Sequence, residues 1–138
     1  MWVNDAQNKI YTIVKYRANI NLVEQFPDIE FTTNIESGEP TSFPSIYIHF
    51  MPSAERGGDL ESKGINAFLC GVQVQVTVTE EMGEKSCQTV SWEVLSQFKA
   101  LGFTVIMMPE FIKTGNADIR QMTFRVRRPI GANNTIGG

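Results

Sequence analysis

The side chains that most often carry out chemistry are few in this chain of 138 residues. His49 is its one imidazole, and no Ser or Cys has the sequence context of a nucleophile that this histidine would activate. Glu80 and Glu81 are adjacent, so in a strand they would point to opposite faces and make a poor acid–base pair. No glycine-rich phosphate loop occurs. The sequence therefore predicts no catalytic residue and no bound cofactor, and we expect a protein that is not an enzyme.

Residues that could hold a metal ion are equally sparse. Asp59 and Glu61 are two nearby carboxylates, but they lack the ligand spacing of a calcium loop. Cys70 and Cys87 together with one histidine do not supply the four ligands of a structural zinc site. We predict no metal site, and we expect two buried free thiols. A disulfide remains the alternative, because its geometric requirement of Cα atoms about 4.4–6.8 Å apart cannot be judged from sequence.

The composition is that of one globular domain, with 42% hydrophobic and 20% charged residues. The sequence has no apolar run near the roughly 20 residues that a membrane-spanning helix needs. The N-terminus lacks the basic and apolar pattern of a secretory signal, so we expect a protein kept inside a cell, without a membrane partner. A net charge of −3 argues against a free-standing nucleic-acid-binding protein, which needs a basic face.

The clearest element of secondary structure is a long strand in FLCGVQVQVTVTEE. Apolar residues alternate there with Gln and Thr, which indicates one buried face and one uncharged polar face. Such a strand spans about 40 Å, twice the usual length, and a long exposed strand invites pairing with another chain. The polar face points either to solvent or to another protein. The positions predicted to be buried are Phe68, Cys70, Val72, Val74, Val76 and Val78.

The other elements follow from capping residues, turn residues and hydrophobic spacing. In chain order, we predict a helix from Asn4 or Asp5 to about Ala18, strands at 29–34 and 45–50, a polar loop at 51–66, a helix at 85–100 ended by Gly102, a strand at 103–108 that continues beyond Pro109, and a strand at 119–128. This order predicts an α+β fold with a mostly antiparallel sheet of about four to five strands and two helices on one face. We predict that residues 1–128 form a single domain and that residues 129–138 form a flexible C-terminal tail.

The charge is distributed unevenly along the chain. Residues 1–112 hold 7 Lys and Arg against 14 Asp and Glu, whereas residues 113–138 hold 5 against one. An acidic body and a basic end can attract each other between copies, although the basic residues could equally decorate a solvated strand. We predict contacts with other chains at the polar strand face, in the loop 54–63 and on the last strand. The predicted contact residues are Gln73, Gln75, Arg56, Asp59, Glu61, Lys63, Arg125, Arg127 and Arg128.

The order of the predicted elements resembles that of the tail terminator (tail completion, or neck) proteins of tailed bacteriophages. The segments that carry this resemblance are, in chain order, SFPSIYIHF, FLCGVQVQVTV, QTVSWEVLSQFKALGF and IRQMTFRVRR. The resemblance covers residues 5–128 as a pattern of elements. It implies a homo-oligomeric ring, typically a hexamer, that stops polymerisation of the tail tube and joins the tail to the head connector. It also implies that the tube protein and the connector, or adaptor, are partners. DNA would pass through the lumen without sequence-specific binding, and the protein would assemble in the host cytoplasm and reside in the virion.

Two alternatives to this function remain open at the level of sequence. Another head–tail connector or minor tail protein would share the element order, and gene neighbourhood would separate them, since a terminator gene is expected just upstream of the major tube gene. A small-molecule-binding or enzymatic α+β domain belongs to a different class. Such a domain would show a convergent polar pocket and would be stabilised thermally by its ligand.

Overall fold

The computed structural model describes residues 2–33, 42–51, 55–56 and 67–131. The strands form one sheet in the order β1-β2-β4-β6-β5, with β3 paired to the start of β4. Strands β1 and β2 are parallel, and all other described pairs are antiparallel. The predicted α+β fold is therefore confirmed. Its elements are α1 (Trp2–Leu22), β1 (Glu30–Thr32), β2 (Ser45–Met51), β3 (Glu55–Arg56), β4 (Ala67–Thr79), α2 (Gly83–Ala100), β5 (Thr104–Ile112) and β6 (Ile119–Gly131).

The hydrophobic core lies between the two helices and one face of the sheet. The alternating residues of β4, from Phe68 to Val78, are at most 2% exposed, as the sequence predicts. Residues of β2 and β6 that lie beside them in register complete the apolar layer. The helices cover this face and leave the opposite face, here called the open face, without a described helix over it. The neighbouring core residues are Ile46, Ile48, Met122, Phe124 and Val126.

Helix α1 is longer than the sequence predicts. The prediction ended it near Ala18, because Asn19 and Asn21 are weak helix formers. The helix instead continues to Leu22, and Ile10, Val14, Ala18 and Leu22 form one buried stripe at a spacing of four. Burial of that stripe outweighs the local propensity, since most helical stability in proteins comes from packing.

Helix α2 begins two residues earlier than predicted and ends where predicted. Leu101 closes the helix, and Gly102 follows it with φ +88°, a left-handed conformation that favours glycine. The predicted apolar stripe is buried, and Leu95 joins it, whereas Trp92 is about half exposed. Phe98 is the centre of this packing, because its ring lies edge-on to Phe103 at 5.2 Å and to Phe124 at 6.4 Å.

The strands differ from their predicted boundaries, and β1 is shorter than the predicted 29–34. Strand β6 was predicted to end at Arg128, but it continues to Gly131, and Ile130 is buried beside Phe68 in register. The tail therefore cannot begin at residue 129, and residues 132–138 lie outside the described part of the chain. The predicted loop 51–66 contains the short strand β3, and the remainder of that loop beyond Met51 also lies outside the described residues.

Candidate functional site

The open face of the sheet is broad and mostly polar, and its edge strands add Glu30 beside Ser45 and Glu110 beside Thr123. Its centre comes from β2, β4 and β6, where the antiparallel register places alternate residues on the same side as Gln73 and Gln75. The two formal charges among these positions are Arg125 and Arg127. The open-face positions of the three strands are Ser45, Tyr47, His49, Met51, Leu69, Gly71, Gln73, Gln75, Thr77, Thr79, Ile119, Gln121, Thr123, Arg125, Arg127 and Pro129.

Side chains on the open face between β4 and β6 hold one another by hydrogen bonds. The Gln121 amide Nε2 donates to Thr77 Oγ1 at 2.9 Å, and the guanidinium Nε of Arg125 donates to Gln73 Oε1 at 3.1 Å. The Thr123 hydroxyl donates to the backbone oxygen of Val74 at 3.1 Å. These bonds fix rotamers before any partner binds, so less side-chain entropy is lost when the face is covered.

A second polar pair lies on the neighbouring strand β2. The Tyr47 hydroxyl and His49 Nδ1 are 3.1 Å apart, and the two rings stack with centroids 5.7 Å apart. In register, Tyr47 lies beside Gln75 and His49 lies beside Gln73. Neither Tyr47 nor His49 belongs to the contact set predicted from the sequence. The register of β2 on β4 adds these two residues to the predicted contact residues on the open face.

The three predicted basic contact residues do not act as one group. Arg125 and Arg127 are exposed on the open face, in register with Gln73 and Gly71. Arg128 points to the helix side, where its Nη1 donates to the backbone oxygen of Leu101 at 2.8 Å. Arg128 therefore satisfies a carbonyl at the C-terminus of α2, where a positive charge also complements the helix dipole. It holds the fold together instead of adding to the open-face charge.

This placement of Arg128 predicts a loss of stability that its neighbour does not share. We expect Arg128→Met to lower the free energy of unfolding by about 1–3 kcal/mol, because a hydrogen bond from a charged donor at a helix end is lost. Arg127→Met is the matched control and should change stability by less than about 0.5 kcal/mol, since that side chain is exposed. Urea unfolding followed by circular dichroism measures both values. Equal effects of the two substitutions would contradict this assignment.

The predicted contact residues of the long loop lie mostly outside the described part of the chain. Asp59, Glu61 and Lys63 belong to that group, so their prediction stays open. Arg56 is in β3, whose backbone pairs with β4 through Glu55 beside Phe68 and Arg56 beside Ala67. The loop therefore leaves and rejoins the sheet at the Ala67 end of β4.

Both cysteines are buried free thiols, as predicted from the sequence. The Cys87 thiol donates to the backbone oxygen of Val76 at 3.5 Å, which attaches α2 to β4. Burial raises the pKa of the Cys70 thiol from 9.0 to about 12, although the positive charge of Arg128 opposes the shift. Burial likewise raises the pKa of Cys87 from 9.0 to about 11. Both groups are therefore protonated and poorly reactive in the folded protein at neutral pH.

These raised pKa values predict that the protein loses stability in alkali. Above about pH 9 the unfolded chain releases thiol protons that the folded chain retains, so the unfolded state binds fewer protons and stability falls as pH rises. Below about pH 9 the thiols do not reduce the free energy of unfolding. Above it, the free energy of unfolding falls by up to about 1.4 kcal/mol per thiol for each pH unit. Urea unfolding at pH 8 and pH 10.5 measures the decline. The variant Cys70→Ala/Cys87→Ala should decline less, and an equal decline would contradict the prediction.

The remaining candidates for chemistry are not assembled into a site in the described residues. Glu80 forms an ion pair of 3.5 Å with Arg120 at the partly exposed end of β4. Within residues 2–33, 42–51, 55–56 and 67–131, no group of three His, Cys, Asp or Glu side chains could hold a metal ion. None of the described helices is long and apolar enough to cross a membrane.

Comparison with known proteins supports the α+β architecture but does not identify a family. The sequence matches no family model and no curated protein. Among 23 matching solved chains, one that carries a sequence identifier in place of a name has a TM-score of 0.52 at 13% identity, over 88% of this chain and 92% of its own length. At this identity the likeness is one of fold alone, and it covers nearly the whole α+β domain described above.

Proposed function

We propose that the protein is a structural subunit of a phage virion, a tail terminator that forms a ring at the head-proximal end of the tail tube. The ring would stop tube polymerisation and present the surface to which the head connector binds. The proposal combines the resemblance in element order with one structural observation, the open face. That face is wide, mostly polar and held in place by its own hydrogen bonds, which suits a surface that another protein covers.

The charges of the open face favour contact with protein over contact with DNA. Arg125 and Arg127 give its centre a positive charge in a chain whose net charge is −3. Arginines along a DNA channel would bind phosphates and slow the passage of DNA. We therefore assign the open face to a packed interface and expect acidic or neutral surfaces to line the lumen.

Polymerisation of the tube protein tests the proposal directly. Purified chain, added to the tube protein encoded beside it, should bind tube ends and shorten the tubes seen by electron microscopy. The average length should fall at least several-fold once the chain is in excess over tube ends. The variant Arg125→Glu/Arg127→Glu serves as the control and should have little effect on length. Tubes of unchanged length in excess wild-type chain would contradict the proposed function.

A further inference from the structure

The charged residues of the open face follow a regular order along the strands. Residues that lie side by side on neighbouring strands are here called a row. The register places Arg127, Arg125, Glu110 and Glu30 in four successive open-face rows, in that order. Rows are about 6.6 Å apart, because each lies two residues further along the strands. The face therefore has a basic half and an acidic half, with formal charges of +2 and −2. The four rows cross β4 at Gly71, Gln73, Gln75 and Thr77.

These four charges are not neutralised within the subunit. In the described part of the chain, none of the four side chains forms an ion pair. Arg125, Arg127 and Glu110 are exposed, and Glu30 is half-buried. The Nε of Arg125 donates to Gln73 Oε1 at 3.1 Å, which leaves its two Nη groups to another acceptor. A charged group that is already held in place loses less entropy when a partner pairs with it.

An order of two positive rows followed by two negative rows is complementary to itself when it is turned around. Consider two copies stacked face to face about a two-fold axis that crosses the strands midway between the Arg125 and Glu110 rows. This axis places the Arg125 row over the partner's Glu110 row, and the Arg127 row over the Glu30 row. Each contact occurs twice, because a two-fold contact repeats every pair. A two-fold axis parallel to the strands would instead place like charges in the same row.

The strand order favours a direct pair between Arg125 and Glu110. Strands β6 and β5 are neighbours, so this axis places Glu110 of one copy about 4.8 Å to the side of Arg125 of the other. Stacked sheets lie about 10 Å apart, a gap that an arginine and a glutamate side chain bridge together. Glu30 adds to the charge of the acidic half without such a pair, since β1 is three strands away from β6.

The open face is large enough for a specific dimer. In sheet order its strands have 3, 7, 13, 13 and 9 residues. At about 3.3 Å along and 4.8 Å across the strands, they form a face of roughly 700 Å². Two such faces bury an area within the standard range of about 1,200–2,000 Å². Because most of the covered groups are polar and must be desolvated, we expect a dissociation constant of about 1–100 μM.

We infer that the open face of one copy packs against the open face of a second copy, related by the two-fold axis that crosses the strands. The evidence is the order of the four charged rows, which matches itself in this orientation. The inference goes beyond the proposed function and does not rest on it, because the dimer is a state of the free chain. A tube end that covers the same face would displace the second copy.

Charge reversal in each half of the face tests this dimer. Arg125→Glu makes the two central rows negative, and Glu110→Lys makes both positive. Either variant alone should raise the dimer dissociation constant at least about tenfold, because like charges then face each other twice. An equimolar mixture of the two variants should dimerise to within about threefold of the wild type, since opposite charges face each other again at both contacts. Sedimentation velocity at low salt, from about 1 to 300 μM, measures these constants.

Lys85→Glu is the matched control for Arg125→Glu. Both variants have a formal net charge of −5, but Lys85 is on α2, on the other side of the sheet, so this variant should dimerise like the wild type. A wild type that stays monomeric over this range would overturn the inference, as would a mixture of the two reversals that does not associate. Oligomers that both reversals leave intact would also overturn it. None of these results bears on the proposed function, which the tube-length experiment tests separately.

Discussion

Phe98→Ala should lower the free energy of unfolding by about 3–5 kcal/mol, the largest effect on stability that we expect from one substitution in this chain. Phe98 is fully buried and joins three parts of the fold, because its ring contacts Phe103 after α2 and Phe124 on β6. Truncation removes this buried area and leaves a cavity that a close-packed core fills incompletely. The total free energy of unfolding of a small domain is about 5–15 kcal/mol, so this loss removes a large fraction of it.

Trp92→Ala on the same helix is the matched control for Phe98→Ala. Trp92 is a large aromatic residue too but is 46% exposed, so we expect its loss to cost about 1–2 kcal/mol. Urea unfolding at pH 7 of both variants and the wild type measures the difference. A loss below about 1.5 kcal/mol for Phe98→Ala, or an equal loss for the two variants, would contradict the packing described for α2.

Arg125→Glu/Arg127→Glu should reduce assembly at least tenfold while leaving the monomer folded. Both side chains are exposed on the open face, so the core is not disturbed. Each replacement removes two units of positive charge, which changes the formal net charge from −3 to −7. The open face would then repel any acidic partner, and the hydrogen bond from Arg125 to Gln73 would be lost. Binding of the variant to tube ends, measured by co-sedimentation, gives the effect.

Lys9→Glu/Lys85→Glu controls for net charge in this experiment. The variant has the same formal charge of −7, but the changes lie on α1 and α2, on the other side of the sheet. We expect near-normal binding to tube ends, and circular dichroism should show both variants folded. Equal weakening in the two variants would show that net charge, and not the open face, governs assembly.

The fold could be predicted from sequence where a pattern was long and regular. The alternation in β4 runs from Phe68 to Val78 without interruption, and the structure buries each of those positions. The left-handed Gly102 follows from the chemistry of helix ends. The ends of α1 and β6 were predicted too short because tertiary burial of Leu22 and Ile130 extends those elements, and burial of this kind is not visible in local propensity.

The candidate site could be predicted only in part, because register decides which residues meet. Sequence alternation placed Arg125 and Arg127 on the polar side of β6, and the structure agrees. Arg128 was predicted with them as a basic residue of the same strand, yet adjacent strand residues point to opposite faces, and Arg128 donates to the backbone oxygen of Leu101. Tyr47 and His49 were not predicted as part of this surface, since their place beside Gln75 and Gln73 depends on the register of β2 on β4.

Electron microscopy of particles from a phage that lacks this gene is the most direct test of the proposed function. A tail terminator limits tube growth and joins the tail to the head, so its absence should give DNA-filled heads without tails and separate tubes of abnormal, mostly greater length. Expression of the wild-type chain from a plasmid should restore joined particles. Normal-length tails attached to heads in the absence of the protein would contradict the account.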